Sequence, residues 1–452
     1  MAEDYKKGLG LLESMSIIIG RIIGSGIFRT PGPIMALTLS PMLFGLSWII
    51  GGIMTILAAI SYAELVAMIP KSGGPYQYLK MAYPPVWAFL RGWAMFFVSE
   101  TGAIAAVSIV FAEYLKSLLM QLFQYELPPF FTVASALAII WIHTFINFAG
   151  VSFSGKIQNI ISFLKYIALF SISMLCFTSS QGTVDNYFKI VEQPGSTWQS
   201  ILALGAAMRY TFFAFSGWEG ATYVAEEVKN PGKNLPLSLF AGIGAVFLLY
   251  ATVNAAYLYQ LPPAEMALSK HVATSALIKA SGTAGAIFIS AVVMLSTFGN
   301  VGTQVLVKAR SWQAMARDKM FFQWLAPTDP STRTPNRSLL IQAFWASLLL
   351  LFASLAENTY ETIIDFFSAT STIFNIMTFA ALIILRKKYP DMERPYKSWL
   401  YPWSSIFIIL FYLAYLGITL YTAPLESLAG LALTGTGLIY YYGFIKNKLE
   451  PA

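Results

Sequence analysis

The sequence contains very few of the residues that enzymes use for covalent or metal chemistry. Among its 452 residues there are one cysteine and two histidines, and there is no glycine-rich phosphate-binding motif. The single cysteine, Cys176, excludes an internal disulfide. His143 and His271 supply neither a nucleophile–base set nor a metal cluster. We therefore expect no enzyme, no catalytic residues, no metal site and no cofactor.

Charged residues are also scarce, since they make up 11% of the chain against 57% for hydrophobic residues. Soluble chains carry about a quarter charged residues, so this composition predicts an integral membrane protein. Apolar stretches of roughly 20 residues, the length that crosses a bilayer, recur along the whole chain. They lie near 12–37, 41–68, 86–118, 128–149, 157–178, 201–225, 236–260, 282–309, 338–355, 362–385, 400–421 and 425–445. The sequence therefore predicts an all-α protein with twelve transmembrane helices in a lipid bilayer.

The net charge of +7 reflects how the basic residues are distributed across the membrane and does not indicate a nucleic-acid partner. With the N-terminus inside and twelve alternating spans, 21 of the 29 Lys and Arg residues fall on the inner side. The exceptions are four outer residues (Lys116, Lys189, Lys270, Lys279) and four within spans (Arg21, Arg29, Lys165, Arg209). This distribution obeys the positive-inside rule, so we expect a multi-pass plasma-membrane protein with both termini in the cytoplasm.

The first apolar span is interrupted by Gly24-Ser25-Gly26, where two glycines weaken the helix within three residues. Inside a bilayer a broken helix survives only where protein or a polar ligand satisfies its backbone. A half-helix over roughly 12–23 would point its last carbonyls into the gap, and a second one starting near Gly26 would present free N–H groups. This pair is complementary to an amino acid, as in transporters with broken helices. The alternative is that the glycines only allow close helix packing.

The sixth span has a second weak point at Ser216-Gly217, flanked by bulky aromatic residues. Phe213 would cover a pocket there, with carbonyls of Phe213, Ala214 and Ser216 pointing inward; the alternative is an aromatic packing stripe. The interrupted spans, the first and the sixth, are five apart, so a repeated unit of five spans enters the membrane from the opposite side and the two interruptions would meet at the midplane. We therefore expect one domain made of two inverted repeats, 12–178 and 201–385, followed by two further spans within 400–445.

Lys165 is the charge that a membrane span tolerates least, because it lies at least six residues from either end of span five. An uncompensated ammonium there costs about 2.5–3.5 kcal/mol. It must pair with carbonyls or hydroxyls or lose its proton, and Ser296 and Thr297 in span eight are suitable partners. The alternative is a lysine that reaches the surface or pairs passively. Glu64, near the inner end of span two, is expected to be structural or to stabilise a gate.

Several motifs in this order resemble the amino acid–polyamine–organocation superfamily and, more narrowly, its L-type amino acid transporter family. The resemblance covers nearly the whole chain. The matching segments are Ile23-Gly24-Ser25-Gly26-Ile27-Phe28 with Pro31, Tyr62-Ala63-Glu64-Leu65, Pro70-Lys71-Ser72-Gly73-Gly74-Pro75-Tyr76, Phe213-Ala214-Phe215-Ser216-Gly217-Trp218, Glu226-Glu227-Val228-Lys229-Asn230-Pro231, and Leu385-Arg386 with Glu393-Arg394-Pro395. The resemblance implies a LeuT-like fold of five plus five spans with helices 1 and 6 broken.

The resemblance also implies a role for individual residues. The substrate carboxylate would bind at Gly24, Ser25 and Gly26. The substrate ammonium would face four backbone carbonyls, those of Ile22, Phe213, Ala214 and Ser216, and Phe213 would be the gate. Lys165 would stand where sodium-coupled relatives hold a cation, near Gly26 and the span-eight residues Ser296, Thr297 and Asn300. A built-in cation implies transport without sodium.

Two positions depart from the family pattern and affect selectivity. Arg21 stands where an uncharged residue is expected, and Glu219 follows Trp218 in place of an amide. An acid there would favour a cationic substrate, or it would pair with Arg209 or another base. We therefore treat Trp218 and Glu219 as selectivity candidates. Residues 116–129 lack the cysteine that links eukaryotic members to a heavy chain, so we expect a monomer of a bacterial inner membrane with no such partner.

The leading hypothesis is a sodium-independent exchanger of neutral L-amino acids that works by alternating access. One alternative is a proton-coupled symporter in which Lys165 loses its proton during the cycle, and another is a carrier of cationic amino acids. A channel or receptor fits less well, because two paired helix breaks suit an occluding site better than an open pore. Uptake that requires substrate inside distinguishes exchange from uptake that requires a pH gradient.

Overall fold

The computed structural model describes residues 9–71, 73–148, 154–191, 196–329, 332 and 334–446, with backbone only for 154–162 and 227. Seventeen α-helices follow one another in this part of the chain. They are α1 (Leu11–Ile22), α2 (Gly26–Arg29), α3 (Pro31–Thr38), α4 (Pro41–Met68), α5 (Pro75–Ala82), α6 (Pro85–Ala94), α7 (Glu100–Phe123), α8 (Phe130–Phe148), α9 (Ser154–Thr178), α10 (Thr197–Phe215), α11 (Pro231–Gln260), α12 (Pro263–Leu268), α13 (Val272–Arg317), α14 (Asn336–Ala353), α15 (Thr359–Lys388), α16 (Trp403–Thr422) and α17 (Pro424–Tyr440). The described residues form no β-sheet, only one isolated bridge between Leu9 and Val228.

Short helical turns of other types extend or connect some of these helices. A π-helical turn at Met95–Ser99 joins α6 to α7, and another at Tyr441–Ile445 extends α17. A 3-10 helix at Trp218–Glu227 follows α10. The remaining two 3-10 turns lie in loops, at Val184–Tyr187 and Gln323–Leu325.

Ten helical segments in the described residues are long and apolar enough to cross a membrane. They are Leu11–Arg29, Pro41–Met68, Pro85–Phe123, Phe130–Phe148, Pro231–Gln260, Val272–Arg317, Asn336–Ala353, Thr359–Lys388, Trp403–Thr422 and Pro424–Ile445. Phe163–Thr178 in α9 is apolar but shorter, and α10 occupies the place of the predicted sixth span. The expectation of an all-helical multi-pass membrane protein is confirmed, while the exact number of spans and their orientation remain predictions.

The helix is interrupted at both predicted places. Between α1 and α2 the backbone of Ile23 leaves the helical region, at φ −72° and ψ 89°. After α10, Ser216 is extended, and Gly217 has φ +93°, a left-handed conformation that favours glycine. A Cβ added to Gly26 would lie 2.5 Å from the Cα of Ala214. Glycine therefore allows the two interruptions to meet.

Packing around the interruptions comes from helices distant in sequence. The helix α1 packs against α11, α9 and the 3-10 helix Trp218–Glu227, while α13 packs against α7 and α9. The helix α15 lies against α7, α16 and α17. The first half-helix is thus enclosed by side chains of α9, α11 and α13, which set its surroundings. The division into repeats at 12–178 and 201–385 stays a prediction.

Candidate functional site

A cavity of about 160 Å³ lies where the two helix interruptions meet. Because about 10–15 Å³ of such volume accommodates one water molecule, the cavity has room for a small polar solute. Gly24, Ser25 and Gly26 line it from the first interruption, and Ser216 and Gly217 line it from the second. Of the residues predicted to hold an amino acid, all but Ala214 are therefore brought together around one cavity.

The side of the cavity formed by Gly24–Gly26 has donors without acceptors. In the described part of the chain, the backbone N–H groups of Gly24, Ser25 and Gly26 have no hydrogen-bond acceptor. The Ser25 hydroxyl, in a residue that is 1% exposed, makes no hydrogen bond within 3.5 Å to the described residues, and the Tyr360 side chain is the neighbour with which it interacts more weakly. Unpaired buried donors cost free energy, and a carboxylate satisfies several of them at once. This arrangement suits the predicted carboxylate site.

The carbonyls on the opposite side of the break already have protein partners. The Tyr250 hydroxyl lies 3.0 Å from the Ile22 carbonyl oxygen and 3.3 Å from that of Ala214. The Phe213 carbonyl accepts the backbone N–H of Ser216 at 3.0 Å. A carbonyl oxygen has two lone pairs, so each keeps capacity for an ammonium donor. Tyr250 was not anticipated, and it bridges the ends of the two broken helices.

Lys165 binds the last turn of α1. Its ammonium donates to the carbonyl oxygens of Gly20 at 3.1 Å and Ile23 at 2.9 Å, and the residue is 2% exposed. The Ser296 hydroxyl lies 3.5 Å from the same Ile23 carbonyl. Thr297 instead donates to Val293 in its own helix at 2.7 Å. Of the two hydroxyls predicted near Lys165, only that of Ser296 reaches the carbonyl that Lys165 also binds, whereas that of Thr297 bonds within its own helix.

Asn300 reaches the same turn of α1 from α13. Its amide donates to the Arg21 carbonyl at 3.2 Å, and its side-chain oxygen accepts from Gln304 at 2.5 Å. Asn300 and Gln304 both line the cavity. The carbonyls at the end of α1 are therefore satisfied by side chains of α9, α11 and α13, so the interrupted backbone is compensated inside the protein.

Phe213 closes one side of the cavity with other aromatic rings. Its ring is 5.7 Å from Tyr360 and 5.8 Å from Phe367, measured between centroids. The Arg29 guanidinium lies 5.0 Å from the Tyr360 ring centroid. Arg29 in turn forms ion pairs of 3.2 Å and 3.0 Å with carboxylates of α7 and α15, from Glu113 and Glu361. The predicted gate residue thus packs against aromatic rings that are backed by the ion pairs of Arg29, and its role as a gate stays a prediction.

Trp218 and Glu219 both line the cavity. The Trp218 ring packs at 4.6 Å against Tyr62 of α4. Arg209, considered as a partner for Glu219, instead forms a 2.8 Å ion pair with Asp365. The charge of Glu219 therefore faces the cavity region without that compensation.

Several cavity residues were not anticipated from the sequence. The side chain of Arg91 lines the cavity without having been predicted there, whereas Glu100, which also lines it, is an intramembrane carboxylate and for that reason a functional candidate from the sequence. Glu100 pairs with the fully buried Lys308 at 2.6 Å. The count of inner-side charges placed Arg91 and Lys308 at the membrane surface, and the structure buries them instead. Four polar residues of α15 also line the cavity: Ser368, Ser371, Thr372 and Asn375. Their spacing of i, i+3, i+4 and i+7 marks one helix face and is the signal that would have found them.

Glu64 has the structural surroundings expected of it. It is fully buried and accepts two hydrogen bonds from Arg386, at 2.7 and 2.6 Å, and one from the backbone of Ser398 at 2.6 Å. A bidentate arginine–carboxylate pair fixes geometry strongly. It ties α4 to α15 and to the segment before α16.

Comparison with known proteins gives the site its context. The family described as amino acid permease matches residues 9–445. The chain is 31% identical to the serine/threonine exchanger SteT of Bacillus subtilis, over 98% of both chains. It is 30% identical to the human cystine/glutamate transporter, covering 99% of this chain and 87% of the relative. It is 33% identical to the mouse large neutral amino acids transporter small subunit 2, covering 97% and 81%.

These matches confirm the resemblance to the amino acid–polyamine–organocation superfamily and to L-type transporters. They extend over almost the entire chain and include both helix interruptions and every cavity-lining residue. They also confirm that the protein is a membrane transporter and not an enzyme. The chain belongs to the amino acid permease family.

Proposed function

We propose that this protein is a sodium-independent exchanger of L-amino acids that works by alternating access. Twelve spans in a LeuT-like fold of five plus five would carry the site at the membrane midplane. The observation that carries the proposal is the contact of two interrupted helices around one cavity, with free donors at Gly24–Gly26. Broken helices that meet in this way bind small zwitterions in transporters.

The carboxylate of the substrate would accept hydrogen bonds from the N–H groups of Gly24, Ser25 and Gly26 and from the Ser25 hydroxyl. Its ammonium would face the carbonyls of Ile22, Phe213, Ala214 and Ser216. Phe213 would open and close access to this pocket. The absence of any other acceptor for the Gly24–Gly26 donors in the described residues supports this orientation.

Sodium independence is supported by the contacts of Lys165. A coordinated cation would stabilise the unwound backbone by binding its carbonyls, and the Lys165 ammonium already binds those of Gly20 and Ile23. Ser296 and Asn300 complete the same shell of donors at this turn. An ammonium supplied by the protein at this place removes the reason to recruit sodium.

Exchange is supported by the relatives, among which SteT is named an exchanger. The stretch 116–129 contains no cysteine for a heavy chain. We therefore propose a monomer in the plasma membrane, with both termini in the cytoplasm. The relatives are named for different substrates, and the expected preference for neutral side chains stands as a separate question.

Counterflow in proteoliposomes tests the proposed function. Uptake of labelled serine, alanine and leucine is measured in sodium-free buffer at matched pH, with and without unlabelled amino acid inside. Exchange predicts strong stimulation by internal substrate without a proton gradient. Uptake into empty vesicles driven only by an inward proton gradient would instead favour the proton-coupled symporter.

A pair of glycine variants links the uptake to the helix break. Gly26→Val would abolish exchange, because its Cβ alone would lie 2.5 Å from Ala214. Gly45→Ala is the matched control, since an added Cβ there meets nothing within 4 Å. Equal uptake by both variants would refute the contact between the interruptions as the substrate site.

A further inference from the structure

Five charged side chains line the cavity, and two of them are neutralised by ion pairs. The five are Arg21, Arg91, Glu100, Arg209 and Glu219. Arg209 pairs with Asp365 at 2.8 Å, and Glu100 pairs with Lys308 at 2.6 Å. Each of these two ion pairs has no net charge, so three charged side chains of the cavity lack a counter-charge in direct contact.

The remaining three groups, Arg21, Arg91 and Glu219, form no ion pair within 4.0 Å in the described part of the chain. Arg21 is 9% exposed and Arg91 is 5% exposed. Each has a buried nitrogen without a hydrogen-bond partner, Nη1 of Arg21 and Nε of Arg91. A guanidinium only donates hydrogen bonds, so both arginines lack an acceptor. Buried donors of a charged group are costly to leave unpaired.

The chain positions of these groups place them on one side of the helix breaks. Arg21 ends α1 just before the first interruption, and Glu219 begins the helix that follows the second. The Arg21 side chain lies against Gly220, since a Cβ there would be 2.5 Å from the Arg21 Cδ. Arg91 comes from α6 with its guanidinium 5.6 Å from the Phe374 ring. It is a neighbour of Arg21, because the charges of both arginines act on the Glu100 carboxylate from beyond ion-pair distance. They thus belong to the half of the cavity on the α1 side, beyond the backbone groups that bind the constant part of an amino acid.

The face of α15 that lines the cavity is polar as well. The hydroxyls of Ser368 and Thr372 bond to carbonyls of their own helix, at 2.6 and 2.7 Å. Ser371 and Asn375 line the cavity and make no side-chain hydrogen bond among the described residues. A large apolar side chain of a substrate would leave these polar groups unpaired. Sites that are built to hydrogen-bond a substrate discriminate strongly against analogues that lack the polar group.

We infer that the substrate's side chain ends in an oxygen that accepts hydrogen bonds, and that acidic amino acids, in place of the neutral ones expected from the sequence, are the preferred substrates. The inference rests on the proposed function. Two unpaired guanidinium groups against one unpaired carboxylate leave one net positive charge, which a side-chain carboxylate offsets. A cationic side chain would meet two like charges and only Glu219 as a partner. The expected affinity for amino acids therefore decreases from acidic side chains to amides or hydroxyls, then to aliphatic and finally to cationic side chains.

Competition in the exchange assay tests this order. Proteoliposomes loaded with serine take up labelled serine while unlabelled glutamate, aspartate, glutamine, leucine or lysine competes outside. Glutamate or aspartate is expected to half-inhibit at the lowest concentration and lysine at the highest. Glutamine, leucine or lysine competing better than both acids in the wild-type protein would overturn the inference.

Variants then assign the effect to the cavity. Arg91→Gln is expected to raise the half-inhibiting concentration of glutamate about tenfold or more, because a hydrogen bond to a charged group is lost. The half-inhibiting concentration of leucine should change less than about twofold, because leucine has no side-chain acceptor for the arginine. Arg91→Lys should partly restore inhibition by glutamate. Glu219→Gln should strengthen inhibition by glutamate. Arg337→Gln, at an exposed site, is the matched control.

The outcomes separate the inference from the proposed function. If serine exchange works and Arg91→Gln weakens all competitors equally, the arginine is structural and the inference fails. If serine exchange works but the acids do not compete, the inference fails while the exchanger stands. If no amino acid is taken up or exchanged, the proposed function itself is wrong.

Discussion

Replacing Lys165 by methionine removes the ammonium and keeps a side chain of similar length. The wild-type ammonium makes two hydrogen bonds, to the carbonyls of Gly20 and Ile23, at 3.1 and 2.9 Å. A hydrogen bond to a charged group contributes about 1.5–3 kcal/mol, so the pair stabilises the interrupted conformation by about 3–6 kcal/mol. Gly20 would lose its only side-chain donor in the described residues, while Ile23 would keep Ser296 at 3.5 Å.

That loss should appear in transport before it appears in folding. If the interrupted backbone is the competent state, about 3 kcal/mol lowers its population relative to a competing one by about 100-fold. Exchange in proteoliposomes should fall by at least that factor in Lys165→Met. Lys71→Met is the control, because Lys71 is exposed and its side chain makes no hydrogen bond in the described residues.

The result that would refute this reasoning is specific. We derive a loss of about 100-fold from the two lost hydrogen bonds. If Lys165→Met exchanges serine within about twofold of the wild-type rate, the lysine is not what stabilises the interrupted helix. A variant that no longer purifies as a monodisperse protein is distinguished by its elution profile in detergent. Arginine at the same place offers a second test, since it keeps the charge but changes its geometry.

Four further results are expected. Tyr250→Phe should raise the KM for exchange about two- to tenfold, because it removes one hydroxyl shared by both broken helices. Arg29→Gln should lower the melting temperature in detergent much more than Lys80→Gln, since the first removes a buried guanidinium that pairs with two half-buried carboxylates and the second breaks an exposed pair. Gly217→Ala should impair exchange more than Gly45→Ala, because Gly217 has φ +93° and lies close to the Arg21 backbone. Carboxylic acids that lack the α-amine should inhibit better than amines that lack the carboxylate; equal inhibition would contradict the asymmetry of the site.

The two interruptions could be predicted from sequence because their cause is local. Glycine and serine lower helix propensity over a few residues, and the membrane penalises a break that nothing satisfies. The ends of α1 at Ile22 and α10 at Phe215 agree with this reasoning within a residue or two. Their meeting, at the contact of Gly26 with Ala214, was inferred from symmetry and is a product of tertiary packing.

The partners of the interruption could not be predicted in the same way. An intramembrane lysine demands acceptors, but sequence does not say which of many hydroxyls and carbonyls will be near it. Lys165 binds residues about 145 positions away, which only the packing of α9 against α1 determines. Tyr250 in an apolar helix is indistinguishable from a packing residue. Arg91 stands near the start of the third apolar span, where a charge ordinarily reaches the membrane surface.

The polar face of α15 could have been predicted from the sequence, but a count of charged residues does not include uncharged polar side chains. Serine, threonine and asparagine carry no charge, so they contribute nothing to a topological argument. Their helical spacing at 368, 371, 372 and 375 nevertheless predicts one polar stripe in a span that is otherwise apolar. A stripe of that kind in hydrocarbon faces protein or a polar cavity, and here it faces the cavity.

The site is asymmetric, and this asymmetry indicates which end of a substrate provides most of the binding. At the carbonyl end, Tyr250, Lys165 and Asn300 already satisfy the backbone of α1. At the other end, the donors of Gly24–Gly26 have no acceptor in the described residues. A carboxylate therefore gains bonds that the empty protein lacks, whereas an ammonium only adds to carbonyls that are already bonded. The free energy of binding should come mainly from the carboxylate, and the side chain of the substrate then decides among amino acids that share it.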